Sequence, residues 1–305
     1  MAYTYSVTAS AMFEDRTAQF EAFGVPASEL AEVRAAVSDM WRDGPGGWAY
    51  EWSKVAARHA AAGQHYLASL TYGCAKFPCL AGVPGRANAL AKQVEEYVAA
   101  APTFPVRFER RILRVPHRSG VTSVPVHLLT THEDLTKAPV LIASGGVDTW
   151  KMDIHPMCIA LANVGLTVLA FDQPGTGESA AYLTGDADEV VLGVVREAKV
   201  LGNGWVGHMG FSFGANFSAM TGLSGAVNAA VVLGLCRSGP ALYQRRQRPV
   251  ARPSAARTPA SLASVSASSW AGWLSDTIPA PAWRRSSCPA RASERRWIAI
   301  TRDPS

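Results

Sequence analysis

Five residues constrain this chain more than any others: Gly210-Phe211-Ser212-Phe213-Gly214, set directly after the apolar run 204–209 and directly before a helical stretch that begins at Phe213. A serine on a tight strand-to-helix turn needs small residues two positions away on either side, because the backbone there is strained and a side chain would strike the adjoining strand or helix. A strand before and a helix after is the context in which such a serine serves as a nucleophile. The plainer alternative is a glycine-bounded turn whose serine only caps the helix.

The surrounding pattern supplies that context. Residues 108–115 and 123–129 alternate polar and apolar side chains, as half-buried antiparallel strands do, whereas 138–143, 166–171 and 204–209 are the continuous apolar runs of strands covered on both faces. Helical patterns over 153–163, over 188–201 and from Phe213 separate them, and 229–235 closes the series. Two leading strands followed by β-α-β-α-β-α-β predict an α/β fold, a mostly parallel sheet flanked by helices, with ligands bound within this part of the chain.

The first hundred residues read as helices. Pro26 and Ser28 open a stretch over 29–41 that Asp43-Gly44-Pro45-Gly46-Gly47 stops; 50–61 and 64–75 flank Ala62-Gly63 as an antiparallel hairpin, and 86–100 is ended by Pro102 and Pro105. The hairpin is similar to one tetratricopeptide unit, but no copy recurs at a fixed period, and one such unit cannot bury its own apolar face, so it must pack on something else. The chain therefore divides into a helical cap over 1–104, an α/β core over 105–236 and a tail over 237–305.

A nucleophilic serine needs donors for the oxyanion that its attack creates. The backbone N–H after it, that of Phe213, is one, and the loop after an earlier central strand supplies the other. Ser144-Gly145-Gly146-Val147-Asp148 follows the apolar run 138–143, which makes Gly146 or Val147 the candidate; the plainer reading is a strand-ending turn.

Three motifs and the helical preface now resemble the α/β-hydrolase superfamily: Gly145-Gly146-Val147-Asp148-Thr149-Trp150-Lys151, then Phe171-Asp172-Gln173-Pro174-Gly175-Thr176-Gly177-Glu178-Ser179, then the Gly210–Gly214 turn. The second and third are shared across the superfamily. The first, with its Asp148-Thr149-x-Lys151, and the helical preface look like the branch that holds the fermentation-respiration switch protein, the fungal polyketide-shortening pigment hydrolases and a dihydropseudooxynicotine hydrolase. The resemblance covers roughly residues 10–235. It implies hydrolysis of an ester, a thioester or a C–C bond in a small carbonyl compound, polyketide-like compounds among them, with Ser212 as nucleophile, Phe213 with Val147 or Gly146 as oxyanion donors, and no cofactor or metal.

Two features pull against it. Gly175-Thr176-Gly177-Glu178-Ser179-Ala180 mimics a dinucleotide-binding G-x-G-x-x-A, yet Asp172-Gln173-Pro174 separate it from the strand and Gly185-Asp186 interrupt any helix it should open; Asp172 is expected to fix a loop. The second feature is graver. In this fold the acid and the histidine follow the nucleophile, whereas all seven histidines (His59, His65, His117, His127, His132, His155 and His208) precede Ser212, and the acids beyond it, Asp276, Glu294 and Asp303, lie in the tail. His208 is expected to point to a sheet face, and His155, though nearer, opens a helix that does not supply the base in this fold. A chain so built is expected to hydrolyse poorly, since losing the base costs about as much as losing the whole triad and leaves only roughly 10³–10⁴-fold from binding and the oxyanion hole. The alternative is a non-catalytic ligand- or protein-binding module.

The net charge of +5 sits in the tail: residues 237–305 hold 12 Arg, no Lys and 3 acids, or +9, leaving −4 for the rest. That lysine-free Arg/Ala/Ser/Pro mixture has no sustained period, is expected to add no strand to a sheet, and reads as a disordered or out-of-frame segment rather than a nucleic-acid-binding arm. The N-terminus has no basic n-region followed by an apolar stretch, and no apolar run approaches the ~20 residues of a spanning helix. The expected partner is a small carbonyl compound, with no nucleic acid and no membrane, in the cytoplasm; a homodimer is compatible with this. The five scattered cysteines, with only Cys74 and Cys79 close together, read as reduced, mostly buried thiols rather than a zinc site.

Overall fold

The computed structural model describes residues 6–78 and 83–234, and two short strands at 262–265 and 297–301. Five helices come first: α1 (Ala9–Ala22), α2 (Ala27–Ala36), α3 (Trp48–Ala61), α4 (His65–Cys74) and α5 (Pro84–Ala100). The hairpin of α3 and α4 does pack on something else. Phe13 and Phe20 of α1 meet Trp48 and Trp52 of α3, with ring centroids 5.0 Å apart for Phe13 and Trp48 and 4.9 Å for Phe20 and Trp52. The Trp48 indole N–H donates to the Cys74 carbonyl at 2.9 Å. Each such fully buried aromatic contributes on the order of 1.5–3 kcal/mol, so the helical region has a core of its own.

Two helix readings are corrected. Periodicity marks no helix before Pro26, yet α1 is there, with the Thr8 side chain accepting from the Ala11 N–H at its start. The stretch expected to run to Trp41 stops at Ala36. The N–H groups of Ser38 and Asp39 turn instead to the Gly46 carbonyl, at 2.9 and 3.1 Å, and a Cβ on Gly47 would lie 1.9 Å from the Arg42 carbonyl oxygen, so the chain folds back there.

The α/β core opens with an antiparallel pair, β1 (Arg107–His117) and β2 (Gly120–Thr130), followed by β3 (Val140–Ser144), α6 (His155–Asn163), β4 (Thr167–Phe171), α7 (Ala187–Leu201), β5 (Val206–Phe211), α8 (Phe213–Leu223) and β6 (Ala229–Leu233). With β7 (Leu262–Val265) and β8 (Trp297–Thr301), the sheet order is β1-β2-β4-β3-β5-β6-β8-β7. The four strands β4, β3, β5 and β6 at its centre are parallel. Helix α6 covers one face of the sheet, with Cys158 and Ala162 against Ala143, Val168 and Ala170; α7 covers the other, with Val190, Val191, Val194 and Val195 against Val126, Ile142 and Val206. This is the α/β-hydrolase arrangement that the sequence implies.

The tail departs from expectation in one respect. Although its composition carries no sustained period, β8 pairs antiparallel with β6 and β7 antiparallel with β8. The backbone N–H and C=O groups on the edge of β6 away from β5 need partners, and a four- or five-residue extended stretch is enough to supply them. The other readings of 237–305, including disorder and an altered frame, fall outside the described residues. No helix among the described residues is long and apolar enough to cross a membrane.

Candidate active site

Ser212 lies between β5 and α8 with φ +52° and ψ −114°, the one non-glycine residue of positive φ among the described residues. Its side chain makes no capping hydrogen bond, which removes the reading of the motif as a simple helix cap, and it is exposed. Its N–H donates to the Leu233 carbonyl at 2.7 Å, tying the turn to the end of β6. The flanking glycines are needed for space: a Cβ at Gly210 would lie 2.1 Å from the Gly214 carbonyl oxygen, and one at Gly214 would lie 2.4 Å from that of Gly145.

The loop after β3 comes up against this serine. A Cβ on Gly146 would be 3.0 Å from Ser212 Cβ and 3.3 Å from Ser212 Oγ, so the Gly145-Gly146 pair lets the backbone that carries the candidate donors, Gly146 and Val147, approach the nucleophile. Gln173, from the loop after β4, holds it from behind by donating its side-chain N–H to the Gly145 carbonyl. Phe213, the other candidate donor, begins α8.

Lys151 and Asp172 are buried together. Asp172 accepts from the Lys151 backbone N–H at 2.8 Å, from its ammonium at 2.5 Å and from the Glu178 N–H at 3.0 Å, and the same ammonium lies 2.7 Å from Glu178. Arg110 of β1 reaches the other Glu178 oxygen at 2.6 Å. Asp172 thus fixes the loop, as expected. Gly177, at φ +49°, is glycine because a Cβ would lie 2.3 Å from the Asp172 carboxylate, and Gly175, at φ +82°, turns the chain so that its N–H meets the Ala181 carbonyl at 2.8 Å. These glycines serve a loop folded on its own carboxylate, and the next helix starts only at Ala187, so the dinucleotide reading has no helix N-terminus to rest on.

All seven histidines have other contacts. His59 lies between Gln64 and Glu29, His65 meets Glu96, His117 meets Asp186, and His132 bonds to the Gly165 carbonyl. His155 bonds through Nδ1 to the Tyr97 hydroxyl at 2.6 Å, and His127 stacks flat on the Tyr97 ring at 4.7 Å. His208 faces into the sheet-helix layer, against Thr221 at 2.8 Å and Ser144 at 3.3 Å. Burial holds His155 down to about 4 and His208 down to about 3, and pushes His127 well below the ordinary imidazole value. None of these hydrogen bonds reaches Ser212. The acids Asp276, Glu294 and Asp303 lie outside the described residues.

Two cations at this site escaped sequence reasoning. Arg16 of α1 reaches Asp148 at 2.7 Å, and Lys76, just past α4, is buried in an ion pair with Asp153. They join the helical region to the loop after β3 by charge, and no local pattern announces partners so far apart in sequence. Two hollows of about 600 and 380 Å³ lie elsewhere, one lined by Phe104 and Thr131 and the other by Leu113 and Leu201, and neither touches Ser212. Cys74 and Cys158 are fully buried, and burial pushes the Cys158 thiol up to about 12, which leaves both as inert packing. No metal-binding cluster occurs among the described residues.

A serine on a strained strand-to-helix turn, a glycine-pair loop against it and a parallel sheet between helices define an α/β-hydrolase. The FrsA-like esterase family matches residues 39–238, and the chain belongs to that family. It is similar to Esterase FrsA of Photobacterium profundum, 25% identical over 58% of this chain and 46% of that one, and to 2,6-dihydropseudooxynicotine hydrolase of Paenarthrobacter nicotinovorans, 27% identical over 44% and 36%. Among solved structures, AbyA5 is similar, with a TM-score of 0.55 and 26% identity over 65% of this chain and 58% of that one. The chain spans less than half the length of the two curated relatives.

Proposed function

We propose that this chain carries the acyl-transfer half of a serine hydrolase for a small carbonyl compound (an ester, a thioester or a polyketide-like C–C substrate), with Ser212 as nucleophile and Phe213 with Val147 or Gly146 as oxyanion donors. The observation that carries this is the backbone of Ser212, held at positive φ with its side chain uncapped and with Gly146 against it. A turn that only ended a strand has no use for that strain. The kinship with proteins named esterase and hydrolase supports the same chemistry.

Turnover by the chain is weak, because every histidine is engaged away from Ser212. The family match stops at residue 238, beside the break in composition at Cys236, which supports a base lost with an out-of-frame C-terminal segment. Nucleotide sequencing past codon 236 is expected to show another frame encoding strands and a histidine; a gene with no such frame overturns that part.

Labelling with a fluorophosphonate tests the nucleophile. Ser212 is expected to label slowly alone and faster with added imidazole as an external base, and Ser212→Ala to abolish the label. The engaged histidines also favour a second reading, a binding module in which Ser212 is vestigial. No labelling with or without imidazole would overturn the reading of Ser212 as an activated nucleophile and count for that module or for an inactive fragment.

A further inference from the structure

The loop between β3 and α6 carries two carboxylates, Asp148 and Asp153, and cations from the helical region take both. The outer link is Arg16 to Asp148, with the guanidinium 4.9 Å above the Phe77 ring. The inner one is fully enclosed. Lys76 and Asp153 are buried as a pair, and the ammonium lies 4.7 Å from the centroid of the Trp150 ring. Asp153 also accepts from the Trp150 backbone N–H at 2.8 Å, while Gln93 of α5 approaches its other oxygen at 3.4 Å. Trp150 then donates its indole N–H to the Val147 carbonyl at 3.1 Å. A continuous set of polar contacts runs from the end of α4 to the carbonyl of Val147, the residue after Gly146, where a Cβ would lie only 3.0 Å from Ser212 Cβ.

We infer that Lys76, Asp153 and Trp150 form a positioning relay that fixes Val147 through its carbonyl, so that the helical region helps place the oxyanion donor rather than merely covering the sheet. This rests on the reading of Ser212 and Val147 given above. A buried ion pair is poor at adding stability, because desolvation offsets its attraction, so its placement here is better explained by what it holds still. An oxyanion donor works only if it points at the developing charge before that charge appears. Val147 is exposed on a glycine-rich loop, and Trp150 holds its carbonyl, which pins the Val147–Asp148 peptide and so restrains the Val147 Cα from which the donor N–H is hung. None of the three touches the reacting atoms; they act through Val147.

Fluorophosphonate labelling of the full chain with imidazole present, resolved into a limiting rate constant and a half-saturating concentration, tests the relay. Trp150→Phe keeps a ring over Lys76 and deletes the indole N–H. Its limiting rate is expected to fall about 10- to 100-fold, the cost of misplacing a preorganised group, with the half-saturating concentration within about twofold. A structural role alone would lower the melting temperature and leave the limiting rate unchanged. Lys76→Met should slow labelling at least as much and Lys76→Arg should restore it; because Lys76→Met strands a buried carboxylate and can unfold the chain, Trp150→Phe decides. A wild-type limiting rate in Trp150→Phe overturns the relay and leaves the Ser212 reading standing. Absence of labelling in the unsubstituted chain overturns both.

Discussion

A side chain held at the φ and ψ of Ser212 costs on the order of 1–3 kcal/mol that a glycine would not incur. Ser212→Gly is therefore expected to raise the urea midpoint, with a gain in unfolding free energy of up to about 2.5 kcal/mol once the greater entropy of unfolded glycine is set against the relieved strain, and to remove all labelling. A lower midpoint would mean that the turn is unstrained. Lys151 shows the opposite case. Its ammonium is shared by two carboxylates and wholly enclosed, so Lys151→Met leaves Asp172 without its cation and should cost about 3–5 kcal/mol by urea unfolding. At this scale the sequence was legible where the requirement is local. Gly210, Gly214, Gly145 and Gly146 announce close backbone approaches, and Asp172 announces a loop. The partners of Lys151, by contrast, come from a loop on the neighbouring strand, and nothing in Asp148-Thr149-Trp150-Lys151 points there.

The elements were legible in proportion to how cleanly their burial follows a period. Strands β3, β4 and β5 are buried along their full length except at Phe211, and their unbroken apolar runs mark them. Helix α1 hides because Arg16 falls on the stripe that also carries Met12, Phe13 and Phe20; a charge placed there to reach Asp148 interrupts the apolar repeat. Helix α2 was overrun because Val37 and Met40 are buried at helical spacing in a chain that has already turned back. The Arg16–Asp148 link itself is open to test. Both side chains are partly exposed, so a double-mutant cycle with Arg16→Ala and Asp148→Ala should give a coupling of roughly 1 kcal/mol, falling as salt is added. A coupling indistinguishable from zero at low salt would remove Arg16 from the set of residues that join the two regions.

Across the whole molecule, three imidazoles are buried in neutral form: His127, His155 and His208. The unfolded chain binds protons on them below about pH 6.5, whereas the folded chain cannot until about 4 for His155 and lower still for His208. Stability should therefore fall as pH drops from about 6.5 to about 4, with each of the three contributing a slope of up to about 1.4 kcal/mol per pH unit. His127→Leu should flatten that slope by one such share, since neither ring nitrogen has a hydrogen-bond partner to lose. An unchanged slope would show that His127 takes up its proton in the folded state.

The charges that bridge Arg16 to Asp148 and Lys76 to Asp153 bear on how such a chain can be recombined. A chimera with its junction near residue 104 would exchange both cations, together with Phe77, and keep both aspartates, leaving the loop with two carboxylates and the Trp150 ring but neither of their charge partners. The transferable part is thus discontinuous in sequence: the helices together with a few residues that follow β3. A graft that carries positions 148 and 153 along with the new helices should fold where one cut at the visible boundary fails.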